Sequence, residues 1–232
     1  MNFCRLLPCY NKDKNHSSLN NSMNRAFQPP IVILANGRFP THPNPLNILD
    51  EAGTVICTDG SADTLLMFGR IPHVIIGDLD STQVGKDDFD GLWIPVPDQD
   101  KTDLHKTLDW CLINDLNEVV VLGAMGKRED HSLGNLYLLV EFSQKKMDIH
   151  FVSDYASIFC MKGKQTFPSS PGQQVSIVAV DAVKSISTDG LKYPLNSDSF
   201  PPACNGISNE ALENKFTIIS TDKIWIFINH PD

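Results

Sequence analysis

The chain has 232 residues, a formal net charge of −9 and a pI near 5.1, with 41% hydrophobic and 20% charged residues. These figures are typical of a globular protein with one large or two small domains, and they exclude a disordered chain. We expect no nucleic-acid binding driven by net charge, although an acidic chain still allows a local basic patch. No apolar run reaches the roughly 20 residues that cross a bilayer, so no membrane segment is expected.

Residues 1–28 are predicted to form a flexible extension. Asn, Ser, Lys and Asp dominate residues 11–24, which cannot bury enough apolar surface to become ordered. The apolar stretch in the first ten residues is too short for a secretory signal. The chain has six cysteines, at positions 4, 9, 57, 111, 160 and 204, and none of them forms a Cys-x-x-Cys motif. We therefore expect reduced thiols in a cytoplasmic protein rather than a disulfide or zinc framework.

After Pro30, short apolar runs alternate with helical patterns, which is typical of a mostly parallel α/β sheet. The helical stripes are Leu104, Leu108, Cys111 and Leu112 in one helix, and Leu133, Leu136, Tyr137 and Val140 in another. Residues 29–147 are thus predicted to be a Rossmann-like three-layer domain. Its strands are expected over residues 31–35, 54–58, 74–76 and 118–122, and its helices over residues 62–68 and 101–114 and after Gly126.

From about residue 148 the pattern changes to strands without long helices between them. β-like runs cover residues 148–153, 157–161, 174–180 and 223–229, separated by Pro and Gly. Strands joined without helices usually pair antiparallel. Residues 148–232 are therefore predicted to form an antiparallel β-sandwich domain.

Two carboxylates follow the apolar run 74–76. Asp78 and Asp80 are two residues apart, so in an extended chain both side chains face one side and can bind one ion. Mg²⁺ is usually held by one or two carboxylates together with water and phosphate oxygens, which favours phosphate-transfer chemistry. The same composition is also typical of a polar turn. Asp59, after the strand at 54–58, is either a helix N-cap or a third carboxylate.

Polar residues crowd the start of the helix at 101–114. Asp100 or Thr102 suits the N-cap position. A helix N-terminus also binds phosphate through its free N–H groups, Lys101 adds a positive charge, and Asp103 is placed to join a metal site. This segment therefore allows both a capping and a ligand-binding interpretation.

The loop at 123–131 follows the next strand. Gly123 and Gly126 permit close backbone approach, and the Arg128 guanidinium suits phosphate oxygens, although a glycine-containing turn is common between a strand and a helix. We interpret His131 as a capping or orienting group rather than a base. Since ligands bind beyond the carboxyl ends of parallel strands, these loops are predicted to converge.

In the second predicted domain, Asn205-Gly206 indicates a hairpin turn, and Ser208 and Asn209 add hydrogen-bonding groups that a turn does not need. The pair Ser208-Asn209, the segment 190–193 and the four loops described above make six motifs. Their order and approximate spacing over residues 31–230 resemble the thiamine pyrophosphokinase family.

The resemblance implies a nucleotide-binding α/β domain, a thiamine-binding β-sandwich and a homodimer with active sites at the interface. It implies transfer of a diphosphate from ATP to the hydroxyl of thiamine, which yields thiamine diphosphate and AMP. The implied catalytic residues and ligands of Mg²⁺ are Asp59, Asp78, Asp80 and Asp103, with Asp78 or Asp103 as the proton acceptor. The implied nucleotide-binding and thiamine-binding residues are Gln99, Asp100, Lys101, Thr102, Arg128, Asp130, Ser208 and Asn209.

The chain departs from the family pattern at Ser61, Asp63 and Lys127, where the family usually has Gly, Asn and Gly. Two alternatives remain open: a non-catalytic thiamine or nucleotide sensor, and another Mg²⁺-dependent pyrophosphokinase or phosphohydrolase. The net negative charge fits a substrate such as thiamine, which carries a cationic thiazolium.

Overall fold

The computed structural model describes residues 27–78, 89–202 and 204–231. These residues form a mixed α/β fold with one large sheet. The first half contains β1 Ile31–Leu34, α1 Pro43–Glu51, β2 Thr54–Thr58, α2 Ser61–Met67, β3 Val74–Gly77, β4 Leu92–Pro95, α3 Asp103–Ile113, β5 Glu118–Leu122 and α4 Glu129–Gln144. The second half contains β6 Asp148–Val152, β7 Ala156–Pro168, β8 Gln174–Ala179, β9 Ile186–Asp189, β10 Asn196–Ser197, β11 Asn209–Glu210 and β12 Lys215–Asn229.

The parallel part of the sheet has the strand order β6-β5-β1-β2-β3-β4. Strand β1 pairs in parallel with β2 on one side and with β5 on the other, so the strand order reverses there. A reversal of this kind opens a crevice at the carboxyl ends of the strands. Strand β6 pairs in parallel with β5 and antiparallel with β7, so the expected antiparallel pairing is confirmed on one side of this strand only. Helix α4 supplies the crossover that parallel pairing requires.

Both faces of the parallel sheet are covered. On β1, Ile31 and Ile33 belong to the core that includes α3 and α4, whereas Val32 and Leu34 belong to the core that includes α1 and α2. None of these four side chains is more than 6% exposed. Burial on both faces explains why the strands have continuous apolar sequences rather than alternating ones.

The predicted apolar stripe is confirmed for α3 and only in part for α4. Leu104, Leu108 and Cys111 are buried, as expected. Leu133 and Tyr137, however, are 55% and 51% exposed. Val140 is buried and Leu136 packs against the core, as expected. The other buried residues of α4, which were not predicted, are Asn135, Leu138, Leu139 and Phe142.

Strand β12 organises the second half of the chain. It pairs antiparallel with β7 along nearly its whole length, with β9 through its first part and with β8 through its second part. The register shifts between Ser220 and Ile224, which divides the two parts. Trp225 of β12 belongs to the core of the first half, and its indole N–H donates to the Leu136 carbonyl at 3.1 Å. Since β6 also pairs with β7, the sheet continues from one half into the other.

Most of the predicted extension lies outside the described residues. Its last two residues are packed: the Phe27 ring meets the Trp110 ring edge-on at 5.7 Å, and the Gln28 backbone exchanges hydrogen bonds with the Thr54 hydroxyl. The described helices include none that is both long and apolar enough to cross a membrane.

Candidate active site

A cavity of about 450 Å³ lies at the carboxyl ends of β1, β2, β3 and β5, where the strand order reverses. Six residues predicted for the site line it, namely Asp78, Gln99, Lys101, Thr102, Asp103 and Arg128. It is also lined by Ala35, Asn36, Gly37, Thr58, Leu104, Lys106, Ala124, Met125, Lys127, His131, Ser132 and Asn135. The predicted residues Asp59, Asp100, Asp130, Ser208 and Asn209 do not line it, and Asp80 lies outside the described residues.

The loops after β1 and β5 form one wall of the cavity. The Gly37 N–H donates to the Gly123 carbonyl and the Arg38 N–H to the Met125 carbonyl, both at 2.7 Å. A Cβ added to Gly37 would lie 2.1 Å from the Gly123 oxygen, so only glycine allows this approach. Gly123 itself has φ +66°, in the left-handed region. The two loops are therefore held together by their backbones.

The acidic residues gather around the end of β3. A Cβ built on Gly77 would lie 2.7 Å from the Asp59 Cβ and 3.5 Å from an Asp103 carboxylate oxygen. The Gln99 amide donates to Asp78 Oδ2 at 3.2 Å, which ties the loop before α3 to β3. Asp59 is 1% exposed and precedes Gly60, the N-cap of α2, so Asp59 does not occupy the N-cap position itself. Residues 59, 78 and 103 thus meet at one edge of the sheet.

These carboxylates suit a Mg²⁺ ion that also binds phosphate. Within residues 27–78, 89–202 and 204–231, no group of three or more His, Cys, Asp or Glu side chains is arranged to hold a metal ion. Mg²⁺ does not need three, since it is commonly held by one or two carboxylates, water and substrate phosphates. Asp78 and Asp103, which both line the cavity, meet that requirement.

Three cations at the cavity are paired with aspartates. Lys106 is 5% exposed and its ammonium lies 3.0 Å from Asp103 Oδ1. The Lys101 ammonium lies 2.7 Å from Asp109, and this hydrogen bond raises the pKa of Lys101. Arg128 forms two hydrogen bonds with Asp130, and these lower the pKa of that carboxyl to about 2. Asp130 therefore positions Arg128 while lying off the cavity wall.

Asp109 of α3 forms ion pairs with Lys101, which lines the cavity, and with Lys145, which follows α4. Partial burial alone would raise the pKa of Asp109, but hydrogen bonds from Lys101 and Lys145 lower it overall. His105 lies 3.6 Å from Asp109 and 3.4 Å from Glu141. These charges are half-buried or exposed, so each pair contributes little to stability.

The starts of α3 and α4 are stabilised by side chains that line the cavity. Thr102 is the N-cap of α3, and its hydroxyl oxygen accepts a hydrogen bond from the His105 N–H. Of the two residues predicted for the N-cap position, Thr102 rather than Asp100 therefore occupies it. In α4, the Ser132 hydroxyl donates to the Arg128 carbonyl and the buried Asn135 amide donates to the Ala124 carbonyl at 2.7 Å. These bonds fix the loop between β5 and α4.

Ser208 and Asn209 lie in the second half of the chain. Asn205-Gly206, predicted as a hairpin turn, instead falls in a short 3-10 helix, Cys204–Gly206. The Asn209 side chain is 3% exposed; its oxygen accepts from the Tyr193 N–H at 3.0 Å and its amide donates to the Tyr193 carbonyl at 2.6 Å. Ser208 is exposed and has φ +61°. Asn209 therefore has a structural role that the sequence did not indicate.

The sequence did not indicate that the cavity would also be lined by Asn36, Gly37, Lys106, Ser132 and Asn135. The Asn36-Gly37 pair follows β1 after one intervening residue, and a turn signal at this point of a parallel sheet indicates the crevice. Lys106 lies one turn after Asp103, but no pattern indicates that its ammonium turns inward. Two residues that differ from the usual family sequence, Ser61 and Asp63, do not line the cavity. The buried Ser61 hydroxyl donates to the Leu34 and Thr58 carbonyls, and Asp63 lies in the first turn of α2.

Fold and cavity together define an α/β protein with a cavity at the reversal of a parallel sheet, lined by two carboxylates and by four cations that could bind an anionic ligand. Two family profiles match the chain: "Thiamin pyrophosphokinase, catalytic domain" over residues 46–151 and "Thiamin pyrophosphokinase, substrate-binding domain" over residues 157–227. The chain belongs to the thiamin pyrophosphokinase family, a family of diphosphotransferase enzymes.

Individual relatives agree with this assignment. Thiamine pyrophosphokinase of Bacillus subtilis is 28% identical over 219 residues, which cover 87% of this chain and 99% of the relative. Thiamin pyrophosphokinase 1 of Caenorhabditis elegans is 34% identical over 105 residues, 41% of this chain and 43% of that protein. The crystal structure of the Bacillus subtilis protein superposes with a TM-score of 0.74 at 26% identity, covering 87% of this chain and 99% of that one.

Proposed function

We propose that the protein transfers the diphosphate of ATP to the hydroxyl of thiamine, with Mg²⁺ bound, and releases thiamine diphosphate and AMP. One observation carries this proposal: within the region similar to the catalytic domain, a cavity of about 450 Å³ combines two carboxylates with four cations. Cations attract the polyphosphate, and the carboxylates would hold the metal ion. A chain with net charge −9 needs such a local balance to bind a nucleotide.

The proposed roles follow from position. Bound Mg²⁺ would offset phosphate charge during transfer. Asp78 and Asp103 would hold it, and we retain Asp59 and Asp80 as further acidic residues of that site. Gln99 orients Asp78, and Asp78 or Asp103 would accept the thiamine hydroxyl proton. The polyphosphate would meet Lys101, Thr102 and Arg128, with Asp100 and Asp130 supporting their loops. Diphosphate transfer depends mainly on such alignment and charge stabilisation.

The thiamine side of the site is proposed to come from a second copy of the chain. Ser208 and Asn209 lie in the region similar to the substrate-binding domain, and they do not line the cavity of their own chain. A homodimer would bring Ser208 of one copy to the cavity of the other. We further propose a nucleotide-binding Rossmann-like unit over residues 29–147, a thiamine-binding β-sandwich over residues 148–232, and a cytoplasmic location.

A product assay tests the proposal. Purified protein with ATP, Mg²⁺ and thiamine should form thiamine diphosphate and AMP in equal amounts, measured by chromatography. Asp78→Asn should retain its circular dichroism spectrum and lose at least about 100-fold in kcat, because it removes a charge at the reacting phosphates. ADP or inorganic phosphate as the sole nucleotide product would refute the proposal.

Asp115→Asn provides the matched control. Asp115 is exposed, lies at the far end of α3 from Asp103, and has φ +58°, a conformation that Asn adopts readily. The same charge change there should leave kcat unaltered. An equal loss of kcat in both variants would show that net charge, not the position of Asp78, controls turnover.

A further inference from the structure

The cations of the cavity differ in what they contact. Lys101, Lys106 and Arg128 each pair with an aspartate, at distances of 2.7, 3.0 and 2.5 Å. Lys127 instead donates to the neutral amide oxygen of Asn36, at 2.9 Å. Among the described residues, no carboxylate lies within 4.0 Å of the Lys127 ammonium. Within the part of the chain that the structure describes, its positive charge therefore has no direct anionic partner.

The Lys127–Asn36 bond also has a particular location. Asn36 follows β1 and Lys127 follows β5, so the bond joins the two loops that meet where the strand order reverses. Both side chains line the cavity and both residues are exposed. The neighbouring backbone hydrogen bonds, from Gly37 to Gly123 and from Arg38 to Met125, hold these loops at a fixed separation. The ammonium is thus placed at the cavity wall before any ligand arrives.

An exposed ammonium held by a neutral amide is well suited to bind phosphate. A phosphate oxygen can replace the amide oxygen as acceptor or share the ammonium with it. The contact between two charged groups is stronger than the contact with the neutral amide. No ion pair has to break, in contrast to the three aspartate-paired cations. Because the side chain is already positioned, less conformational entropy is lost on binding.

We propose that Lys127, positioned by Asn36, contacts the polyphosphate of the nucleotide and is a determinant of nucleotide affinity in this chain. The inference rests on the proposed function for the identity of the nucleotide. Lysine acts as a single point charge, so arginine should replace it in part, whereas a neutral side chain should not.

Equilibrium binding of ATP in the presence of Mg²⁺ tests the proposal without requiring turnover. Lys127→Ala should weaken ATP binding roughly ten-fold, as expected for loss of one charged hydrogen bond at an exposed site. Lys127→Arg should recover most of that affinity. Rising salt should weaken binding to the wild type more steeply than to Lys127→Ala, because the screened charge is absent from the variant.

Lys164→Ala is the control. Lys164 is an exposed lysine on β7, outside the cavity, and its removal changes the net charge equally. ATP affinity of Lys127→Ala within two-fold of the wild type, or a loss that Lys164→Ala reproduces, would overturn the inference. In steady-state assays the KM for ATP should rise while the KM for thiamine stays within two-fold. A rise confined to thiamine would overturn it as well.

The two proposals fail separately. A wild-type protein that binds ATP but forms no thiamine diphosphate refutes the proposed function, while the binding comparison still decides the role of Lys127. Normal thiamine diphosphate formation with unchanged ATP binding in Lys127→Ala refutes only the role of Lys127. Absence of ATP binding by the wild type would refute both.

Discussion

Gly37→Ala should destabilise the protein and damage the cavity together. The added methyl group would lie 2.1 Å from the Gly123 oxygen and 2.5 Å from the Met125 oxygen, whereas real Cβ atoms essentially never approach within 3.0 Å. Both neighbours are backbone atoms of one loop, which cannot turn aside as a side chain can. The loops after β1 and β5 must separate by about 1 Å to admit the methyl group.

The cost follows from the bonds at stake. Separation strains two backbone hydrogen bonds of 2.7 Å, donated by Gly37 and Arg38, at about 1 kcal/mol each. Steric crowding in a packed region adds about 1–3 kcal/mol, although partial relaxation of the loops limits the sum. We expect a loss of about 2–4 kcal/mol in the free energy of unfolding.

Urea denaturation measures this loss, and ATP titration of the folded variant measures the damage to the cavity. Gly134→Ala is the matched control, because an added Cβ at this exposed position in α4 meets nothing within 4 Å. Alanine favours helix over glycine, so this variant should gain about 0.5–1 kcal/mol. A Gly37→Ala variant within 0.5 kcal/mol of the wild type and with unchanged ATP affinity would refute the proposed close approach of the loops.

Two further predictions concern the second half of the chain and the start of α1. Asn209→Ala should lose about 1–3 kcal/mol of stability in urea denaturation, because it leaves both backbone groups of Tyr193 without their partner. Ser208→Ala should leave stability nearly unchanged and raise only the KM for thiamine. Equal stability of the two variants would contradict this prediction. Asp154 accepts three hydrogen bonds from Thr41 and His42, which lower its pKa below the ordinary 3.8 despite the opposing effect of burial. Its stabilisation, about 1–2 kcal/mol, should be complete above about pH 5 and disappear as the pH falls through the folded pKa. The difference in unfolding free energy between wild type and Asp154→Asn should therefore shrink below pH 4, and a difference independent of pH would contradict this origin.

The parallel strands could be predicted from the sequence because burial on both faces imposes a local signal. The run at 118–122 coincides with β5, and Leu104, Leu108 and Cys111 face the core as expected. The orientation of α4 could not be predicted in this way. Its apolar residues extend around the helix, and tertiary contacts select the buried row; the exposed Tyr137 instead meets Trp225 edge-on at 5.3 Å.

The site shows the same limit. Acidic residues after strands indicate a shared edge because parallel strands end together, and Asp78 and Asp103 do line one cavity. Which charges pair there depends on side-chain direction. The inward turn of Lys106 and the use of the Asn209 amide to hold Tyr193 depend on contacts between distant segments, which residue spacing does not encode.

The position of β12 in the sheet has a consequence for the order of folding. Strands β8 and β9 are synthesised first, but apart from two-residue pairings with β11 and β10 their hydrogen-bonding partner is β12. Until residues 215–229 have been made, the apolar faces of these strands have little to pack against. Long-range pairing of this kind is slow and leaves unpaired edges open to misassembly. During synthesis, the second half of the chain should therefore depend more on chaperones than the parallel half, whose strands β1 to β3 pair with neighbours in the sequence.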